Sequence, residues 1–587
     1  MAQGNGNKPA SAARDTLRKV SRPVVNGVSS VLTFVGDGRI KIVCGAFLVV
    51  AAVFLLRLVF LQVIVADSYA AMAEESRTIN FTTTPRRGTI YDRNGLVLAT
   101  SVDATTIYAN PAEVTDSGLE AAKLAEVLGG KAEDYKKKLE QKDTTFVYIE
   151  RQAEVEKADQ VKALGLAGVY FIPDTRREYP NGAIGGQVIG FCNVDGQGIT
   201  GLELQYDEIL QGTPGTYVAE RGEKGTPIPG GVREHIPAKD GEDIMISLDI
   251  KLQEVVEDRL EEEAERLSTE TGSAVVMDGG TGEIYAICSL PYMDPTDMAE
   301  SKLGSDQVTA ITSAIEPGSV FKTLTALCVR EKDVMGTEDV LDCPAVLTAN
   351  DYEVSDARER DDAVYSLREI MARSSNVGIS LAAEKLGFNN LYEAILRYNF
   401  AERTGVDYPG EMAGYLQDFN NWGRIVGYNV SFGQGISTTP LQIVRFYGAL
   451  ANNGVEVTPH FLMYKPQSDE RPVYAVERVC FDQAAIDDTI SMLRSVVTDG
   501  TGKDAAVPGY EVVGKTSTAE IASSGTYLED RYNLCFTGFI ANSSSKLITY
   551  VGANDVAYDG TVTAAAGDIM SHIVEQYNVV QYDLGDL

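Results

Sequence analysis

Histidine is scarce: 587 residues contain only His235, His460 and His572. None lies inside a nucleophile motif, which argues against a Ser-His-Asp triad. Cysteine is sparse too, and Cys44, Cys192, Cys288, Cys328, Cys343, Cys480 and Cys535 are scattered with no C-x-x-C and no Cys/His cluster. That pattern excludes the ligand spacing of a zinc site. Most of these thiols stand in apolar strings such as Ala286-Ile287-Cys288 and Leu534-Cys535-Phe536, where cysteine acts as a small hydrophobe. Cys328 and Cys343 have the option of pairing in an oxidising exterior. Positive charge is in deficit, with a net charge of −33. No basic face of useful size survives that excess, so nucleic acid is not a partner, and most carboxylates read as a solubilising surface. There is one Trp, yet 44% of residues are hydrophobic and no low-complexity bias appears, as in ordinary globular protein. The length exceeds a single core and calls for two or more domains.

The charge that is positive is concentrated. Residues 1–41 hold Lys8, Arg14, Arg18, Lys19, Arg22, Arg39 and Lys41 against Asp15 and Asp37, a local excess of five, so the remaining chain carries −38. Residues 1–30, rich in Gly, Asn, Ser and Ala, read as an arm without periodicity. Ile42–Ala66 follows, almost wholly apolar apart from Arg57 and Gln62. At 1.5 Å per residue it covers roughly 37 Å, enough to cross a bilayer with tilt. The basic flank puts the N-terminus in the cytoplasm and the bulk outside. The rival, a cleaved signal peptide, is opposed by the length of the run and by Gln62-Val63-Ile64-Val65, which lacks small residues for cleavage. Arg57 either snorkels to the outer headgroups or pairs with a carboxylate of another membrane protein.

After the span, Asp67–Glu75 continues as a short helix, and Pro85-Arg86-Arg87-Gly88-Thr89-Ile90-Tyr91-Asp92-Arg93-Asn94-Gly95 reads as a strand ending in an Asn-Gly turn. Residues 100–235 alternate strand-like pieces (105–108, 146–149, 168–172) with amphipathic helices (119–128, 154–164). From about 240 a second domain begins. Asp249–Leu267 places Leu252, Val256, Leu260, Ala264 and Leu267 on one helical face with acids opposite. Gly272–Asp278 and Glu283–Ser289 form a hairpin around Gly-Gly-Thr-Gly, Val512–Glu520, Asn533–Ala541 and Lys546–Gly552 add three strands, and Ala564–Tyr577 is a closing helix. Five strands, mostly hairpin-connected, with helices before, between and after them, imply an α+β layered domain with an antiparallel sheet.

Three strings in this second domain carry chemistry: Ser-Val-Phe-Lys at 319–322, Ser-Ser-Asn at 374–376 and Lys-Thr-Ser-Thr at 515–518. Ser319 follows the turn Pro317-Gly318 and opens an apolar-periodic run through Val320, Leu324, Leu327 and Cys328, so it stands at a helix N-terminus, where developing negative charge is favoured. Lys322 lies one turn on, on the same face. A serine hydroxyl is inert at neutral pH unless a base takes its proton. Lysine serves when desolvation and nearby cations lower its pKa. Any one string has a bland reading: an ordinary helix start, a cap within the helical pattern of Ile370–Ala383, an exposed lysine beside a strand.

In order, 55 and 139 residues apart (319 to 374, 376 to 515), the strings resemble the signature of the serine penicillin-recognising enzymes, S-x-x-K, S-x-N and K-T-G, with Ser517 where that family usually has Gly. Arg87-Gly88-Thr89-Ile90-Tyr91-Asp92-Arg93-Asn94-Gly95 is similar to the R-G-x-I-x-D-R-N-G of class B penicillin-binding proteins, and Arg177-Glu178-Tyr179-Pro180, Gly201-Leu202-Glu203 and Ser431–Gln442 resemble further class B landmarks. The resemblance covers about residues 50–578. It implies a bitopic D,D-transpeptidase of peptidoglycan: a cytoplasmic arm (1–41), a single transmembrane helix (42–66), a non-catalytic pedestal (67–239), a transpeptidase domain with a five-stranded antiparallel sheet packed by helices (240–578) and a tail (579–587). It also implies roles. Ser319 would be the nucleophile and Lys322 the base, with Lys515 close by. Ser374 would relay a proton to the leaving amine, and Asn376 would bind the substrate amide. Lys515 and Thr516 would hold the terminal carboxylate, with the strand of 515–520 bordering the cleft. The N–H groups of Ser319 and Thr518 would form the oxyanion hole. No cofactor or metal is implied. Stem peptides are the substrate, β-lactams the inhibitors, and a SEDS-type glycosyltransferase and other divisome membrane proteins the partners. The Gly-Gln-Gly-Ile-Ser segment leans toward division and sporulation. A D,D-carboxypeptidase, a β-lactam-sensing receptor and a vestigial scaffold are the alternatives. The pedestal opposes the first, the short arm the second and the intact strings the third. Ser517 either crowds the ligand or turns its hydroxyl away.

Overall fold

A computed structural model describes residues 38–66, 78–221, 227–349, 352–523, 526–557 and 560–582. The arm before residue 38, the helix expected at Asp67–Glu75 and the last five residues of the tail lie outside the described residues. Helix α1 (Gly38–Val59) runs into a π-helical turn over Phe60–Ile64. Ile40–Val63 is a 24-residue apolar stretch of mean hydropathy 2.7, none of it buried by protein. Val49, Phe54 and Leu56 are exposed along it, an arrangement that hydrocarbon tolerates and water does not. The chain is therefore membrane-anchored. The Arg57 guanidinium lies over the Phe60 ring, 5.9 Å from its centroid. The described residues of 38–83 and 216–237 form one packing unit, and Thr78–Thr83, Gly215–Arg221 and Pro227–Ile236 make a three-stranded sheet.

Residues 84–215 and 238–587 form the other unit. Its first sheet is assembled from distant parts of the chain. The strand order is Leu462–Tyr464, Ile244–Ile246, Ile90–Tyr91, Val97–Ala109, Val147–Glu154, with Val169–Glu178 also paired to Val97–Ala109. Ile90–Tyr91 runs parallel to Ile244–Ile246 and antiparallel to Val97–Ala109. The expected Asn-Gly turn is present, held by Asp92 Oδ1 accepting from the N–H groups of Asn94 (2.8 Å) and Leu96 (2.7 Å). Beside it, Glu203 is fully buried between the guanidinium groups of Arg87 (2.5 Å) and Arg177 (2.7 Å). The class B landmarks around 87, 177 and 203 are thus one buried ionic knot. Removing one partner of such a knot strands a buried charge, at a cost of about 3–5 kcal/mol.

The second sheet lies between two helical layers. Helix α2 (Ile250–Leu267) is capped by Asp249, which accepts from the N–H groups of Lys251 and Leu252. Its five predicted apolar positions are all buried, but so are Glu257 and Glu263, which the amphipathic reading had put in solvent. Glu257 accepts from Gly185 N (2.9 Å) and Gln253 Nε2 (2.8 Å). The strands are β1 (Thr271–Asp278), β2 (Ile284–Leu290), β3 (Val512–Ser523), β4 (Thr526–Ile540) and β5 (Leu547–Val556). They pair antiparallel in the order β2-β1-β5-β4-β3. Ala274 and Val276 pack in one core with Leu252, Val256, Ile569 and Met570, while Val275 and Met277 pack in another with Leu324, Ile370 and Phe446. This is the period of two expected where a strand is covered on both faces. The second core holds α3 (Lys322–Glu331), α4 (Leu367–Arg373), α5 (Asn376–Leu386), α6 (Pro440–Ala451) and α7 (Gln483–Thr498); α8 (Thr563–Tyr577) lies on the face of α2. All seven cysteines carry free thiols, Cys328 and Cys343 among them.

Candidate active site

The segment before Ser319 is pinned on both sides. Ile315 and Thr438 exchange backbone hydrogen bonds (2.9 and 2.8 Å), and Gly318 N donates to Gly433 O (3.0 Å). Glu316 Oε1 accepts from Gly435 N (2.9 Å). The 431–442 segment reads from sequence as a family landmark without a site role; in the fold it braces the turn that leads into Ser319. Gly318 has φ +58°, a conformation that costs an L-residue of about 1 kcal/mol or more and that glycine adopts freely. Gly318–Phe321 is a 3₁₀ turn that passes into α3 at Lys322. With three residues per turn, positions i and i+3 eclipse, so Ser319 and Lys322 share a face. Ser319 is half-buried and Lys322 wholly buried.

Ser374 ends α4 in the left-handed conformation, φ +59° and ψ 39°. That break points both its oxygens at the Lys322 amine. Lys322 Nζ donates to Ser374 O (2.6 Å) and Asn376 Oδ1 (2.7 Å) and lies 3.2 Å from Ser374 Oγ. On the other side, Lys515 Nζ from β3 donates to Ser374 Oγ (3.0 Å) and Thr516 O (3.0 Å). One serine hydroxyl therefore bridges two amines, each with no exposed surface. Burial pushes the Lys515 amine down to about 7. Lys322 is held well below the usual lysine range by burial and then by the charge of Lys515, against an opposing pull from Asp356. Both effects shift the Lys322 amine toward its neutral, proton-accepting form.

Five of the seven predicted residues, Lys322, Ser374, Asn376, Lys515 and Thr516 through its backbone oxygen, meet in this cluster, and Ser319 lies one turn before Lys322. Thr516 is half-buried, its hydroxyl against that of Thr501. Thr518 is exposed two residues further along β3, which is the last strand of its sheet among the described residues. Among the described residues the Ser319 hydroxyl has no hydrogen-bond partner, so it is free to meet a ligand. His460 stacks on Tyr474 (3.6 Å between centroids) and His572 bonds Gln576, both away from this cluster. The side chain of His235 is outside the described residues.

Sequence reasoning missed the supports. Ser375 caps α5, accepting from Gly378 N (3.0 Å) and donating to Asp356 (2.9 Å). Asp356 also accepts from Val377 N (3.0 Å) and pairs with Arg360 (2.6 Å). Asn376 Nδ2 donates to Ser355 O (3.0 Å). The N-cap preference for serine was a usable signal for Ser375, but nothing local marks Asp356. Ser517 is buried, and its hydroxyl donates to Pro317 O (2.9 Å), which is the turned-away arrangement. Two buried amines, a hydroxyl held between them, a half-buried serine one turn away and an open strand edge are groups that acyl transfer from a peptide can use.

Comparison with known proteins agrees. Residues 272–575 match the penicillin binding protein transpeptidase domain family and residues 82–246 the penicillin-binding protein dimerisation domain family. The chain is 31% identical to stage V sporulation protein D of Bacillus subtilis, over 89% of this chain and 83% of that protein. It is 32% identical to the probable peptidoglycan D,D-transpeptidase PenA of Neisseria meningitidis, over 89% of each. A crystal structure of penicillin binding protein 3 of Mycobacterium tuberculosis with aztreonam superposes with a TM-score of 0.65 at 25% identity, covering 85% of this chain and 97% of that one.

Proposed function

Since the chain belongs to the class B penicillin-binding proteins of the division and sporulation type, and is a peptidoglycan D,D-transpeptidase of cell-wall synthesis that binds β-lactams, we propose that it works through an acyl-serine intermediate on Ser319. The observation that carries this is the Ser374 hydroxyl held between two fully buried amines, one turn from an accessible serine.

In this reading the neutral Lys322 amine takes the proton of Ser319 as Oγ bonds to the penultimate D-Ala carbonyl carbon. The oxyanion is stabilised by the N–H groups of Ser319 and Thr518, a contribution of about 3–4 kcal/mol per donor in such sites. Collapse breaks the amide C–N bond. The departing amine of terminal D-Ala collects the proton from Lys322 by way of Ser374, leaving an ester on Ser319. An amine of a neighbouring stem peptide then attacks the ester, passes its proton back along the same path and frees Ser319. Asn376 holds the substrate amide, and protonated Lys515 with Thr516 holds the terminal carboxylate. The donor peptide lies along the open edge of β3.

The same reading divides the chain into a cytoplasmic arm (1–41), a span (42–66), a pedestal (67–239), a transpeptidase domain (240–578) and a tail, with the N-terminus cytoplasmic on the strength of its basic residues. Glycan polymerisation then falls to a SEDS-type glycosyltransferase alongside other divisome membrane proteins. The test is covalent labelling with fluorescent penicillin. Wild type is expected to label and Ser319→Ala is not; label persisting on the Ala variant moves the nucleophile elsewhere.

A further inference from the structure

The peptide unit linking Pro317 to Gly318 is held from both ends by other parts of the fold. Its carbonyl accepts from Ser517 Oγ at 2.9 Å, and its N–H donates to Gly433 O at 3.0 Å. A peptide plane bonded at both ends cannot rotate without breaking one of the bonds. The next residue in the chain is Ser319, so the orientation of this plane and the φ of +58° at Gly318 together aim the Ser319 N–H and Oγ.

There is no slack around the clamp. A Cβ on Gly318 would come within 2.4 Å of Ser517 Oγ and 2.9 Å of the Ala519 Cβ. One on Gly433 would come within 2.2 Å of Gly318 O. Three segments therefore converge on one plane: the turn before α3, the loop at 433 and strand β3. Of the two hydrogen bonds, only that of Ser517 depends on a side-chain hydroxyl. It is also the only one that ties the turn directly to β3, the strand that carries Lys515 and Thr518.

We infer that Ser517 is a positioning residue for acyl transfer, its hydroxyl tethering the Pro317 carbonyl to β3 so that the Ser319 nucleophile and N–H keep fixed register with Lys515 and the N–H of Thr518. The inference rests on the acyl-serine reading above. It separates the hydroxyl from the volume of the side chain. If Ser517 only filled space, alanine would replace it without loss and glycine would not. If the hydroxyl is the working part, alanine and glycine both lose it.

The experiment uses the detergent-solubilised full chain and stopped-flow acylation by a chromogenic cephalosporin, resolving the non-covalent binding constant from the first-order acylation constant. For Ser517→Ala and Ser517→Gly alike, the acylation constant is expected to fall about three- to tenfold, the range of one neutral hydrogen bond. The binding constant should stay within twofold, and near-ultraviolet circular dichroism should be unchanged. An Ala variant whose acylation constant lies within twofold of wild type overturns the inference, as does a loss confined to the binding constant. Either result, obtained with a wild type that acylates on Ser319, leaves the acyl-serine reading intact; a wild type that takes no acyl group overturns both.

Discussion

The amine of Lys515 has to be charged to hold a carboxylate, yet burial pulls it down to about 7. In the free enzyme it is largely neutral above that value, and a bound carboxylate raises it again. Binding is therefore coupled to proton uptake. Non-covalent affinity for a carboxylate-bearing β-lactam should weaken as pH rises from about 7 to 9, by at most about tenfold per unit, and Lys515→Arg should flatten the slope. A pH-independent affinity would contradict that role. Lys322 makes the opposite demand, because only its neutral form accepts the serine proton. Lys322→Ala should slow acylation by orders of magnitude with circular dichroism unchanged, and acylation within about threefold of wild type, less than roughly 1 kcal/mol of barrier, rejects the base. Ser374 offers a cleaner separation of chemistry from folding. Its φ of +59° suits glycine better than serine, so Ser374→Gly should fold at least as stably, within about 1 kcal/mol, while losing the bridge between the amines and most of the acylation rate. Ser319 and Lys322 were legible in the sequence because a 3₁₀ turn brings i and i+3 together by local geometry alone. The Ser517 contact was not, because its acceptor is 200 residues away.

Between α4 and α5 the chain breaks for a reason visible only in three dimensions. The polar interruption at 374–376 is plain in the sequence, but the carboxylate that organises it comes from Asp356, and Asp356 belongs to no motif. Its four contacts fix the Ser375 hydroxyl, the Val377 N–H and Arg360. Asp356→Ala strips the acceptor from a mostly buried guanidinium and from the cap of α5. It should cost about 2–4 kcal/mol in chemical denaturation and slow acylation with it. Asp356→Asn keeps the shape without the charge and should recover part of both. Loss of acylation with full stability would place Asp356 in the chemistry instead. Longer elements were easier to read. Four strands of the catalytic sheet and α2 sit within four residues of the expected bounds because each repeats its apolar pattern several times, whereas β4 begins at Thr526, seven residues before the expected Asn533. Ile90–Tyr91 and Ile244–Ile246, two and three residues long, are too short to carry a period, and the sheet they complete could not be foreseen.

Across the whole molecule that sheet decides what folds with what. The strand at Ile90–Tyr91 is paired on one side by Val97–Ala109 and on the other by Ile244–Ile246, beyond the proposed pedestal. A fragment ending at residue 239 leaves that side of the strand bare. Expressed alone, residues 84–239 should lack a sharp cooperative thermal transition, whereas a fragment folding as sharply as the whole chain would make the pedestal autonomous. The sheet also sets a schedule for biogenesis. Ile90 leaves the ribosome first, and Leu462–Tyr464, which closes the far edge beside Ile244–Ile246, follows more than 370 residues later in the chain. At 5–20 residues per second that is a delay of roughly 20–75 s. Throughout it, Ile244–Ile246 keeps the edge that Leu462–Tyr464 will cover without a partner. The yield of the newborn chain in a cell should therefore depend on factors that hold such an open edge more than the stability of the finished fold would suggest.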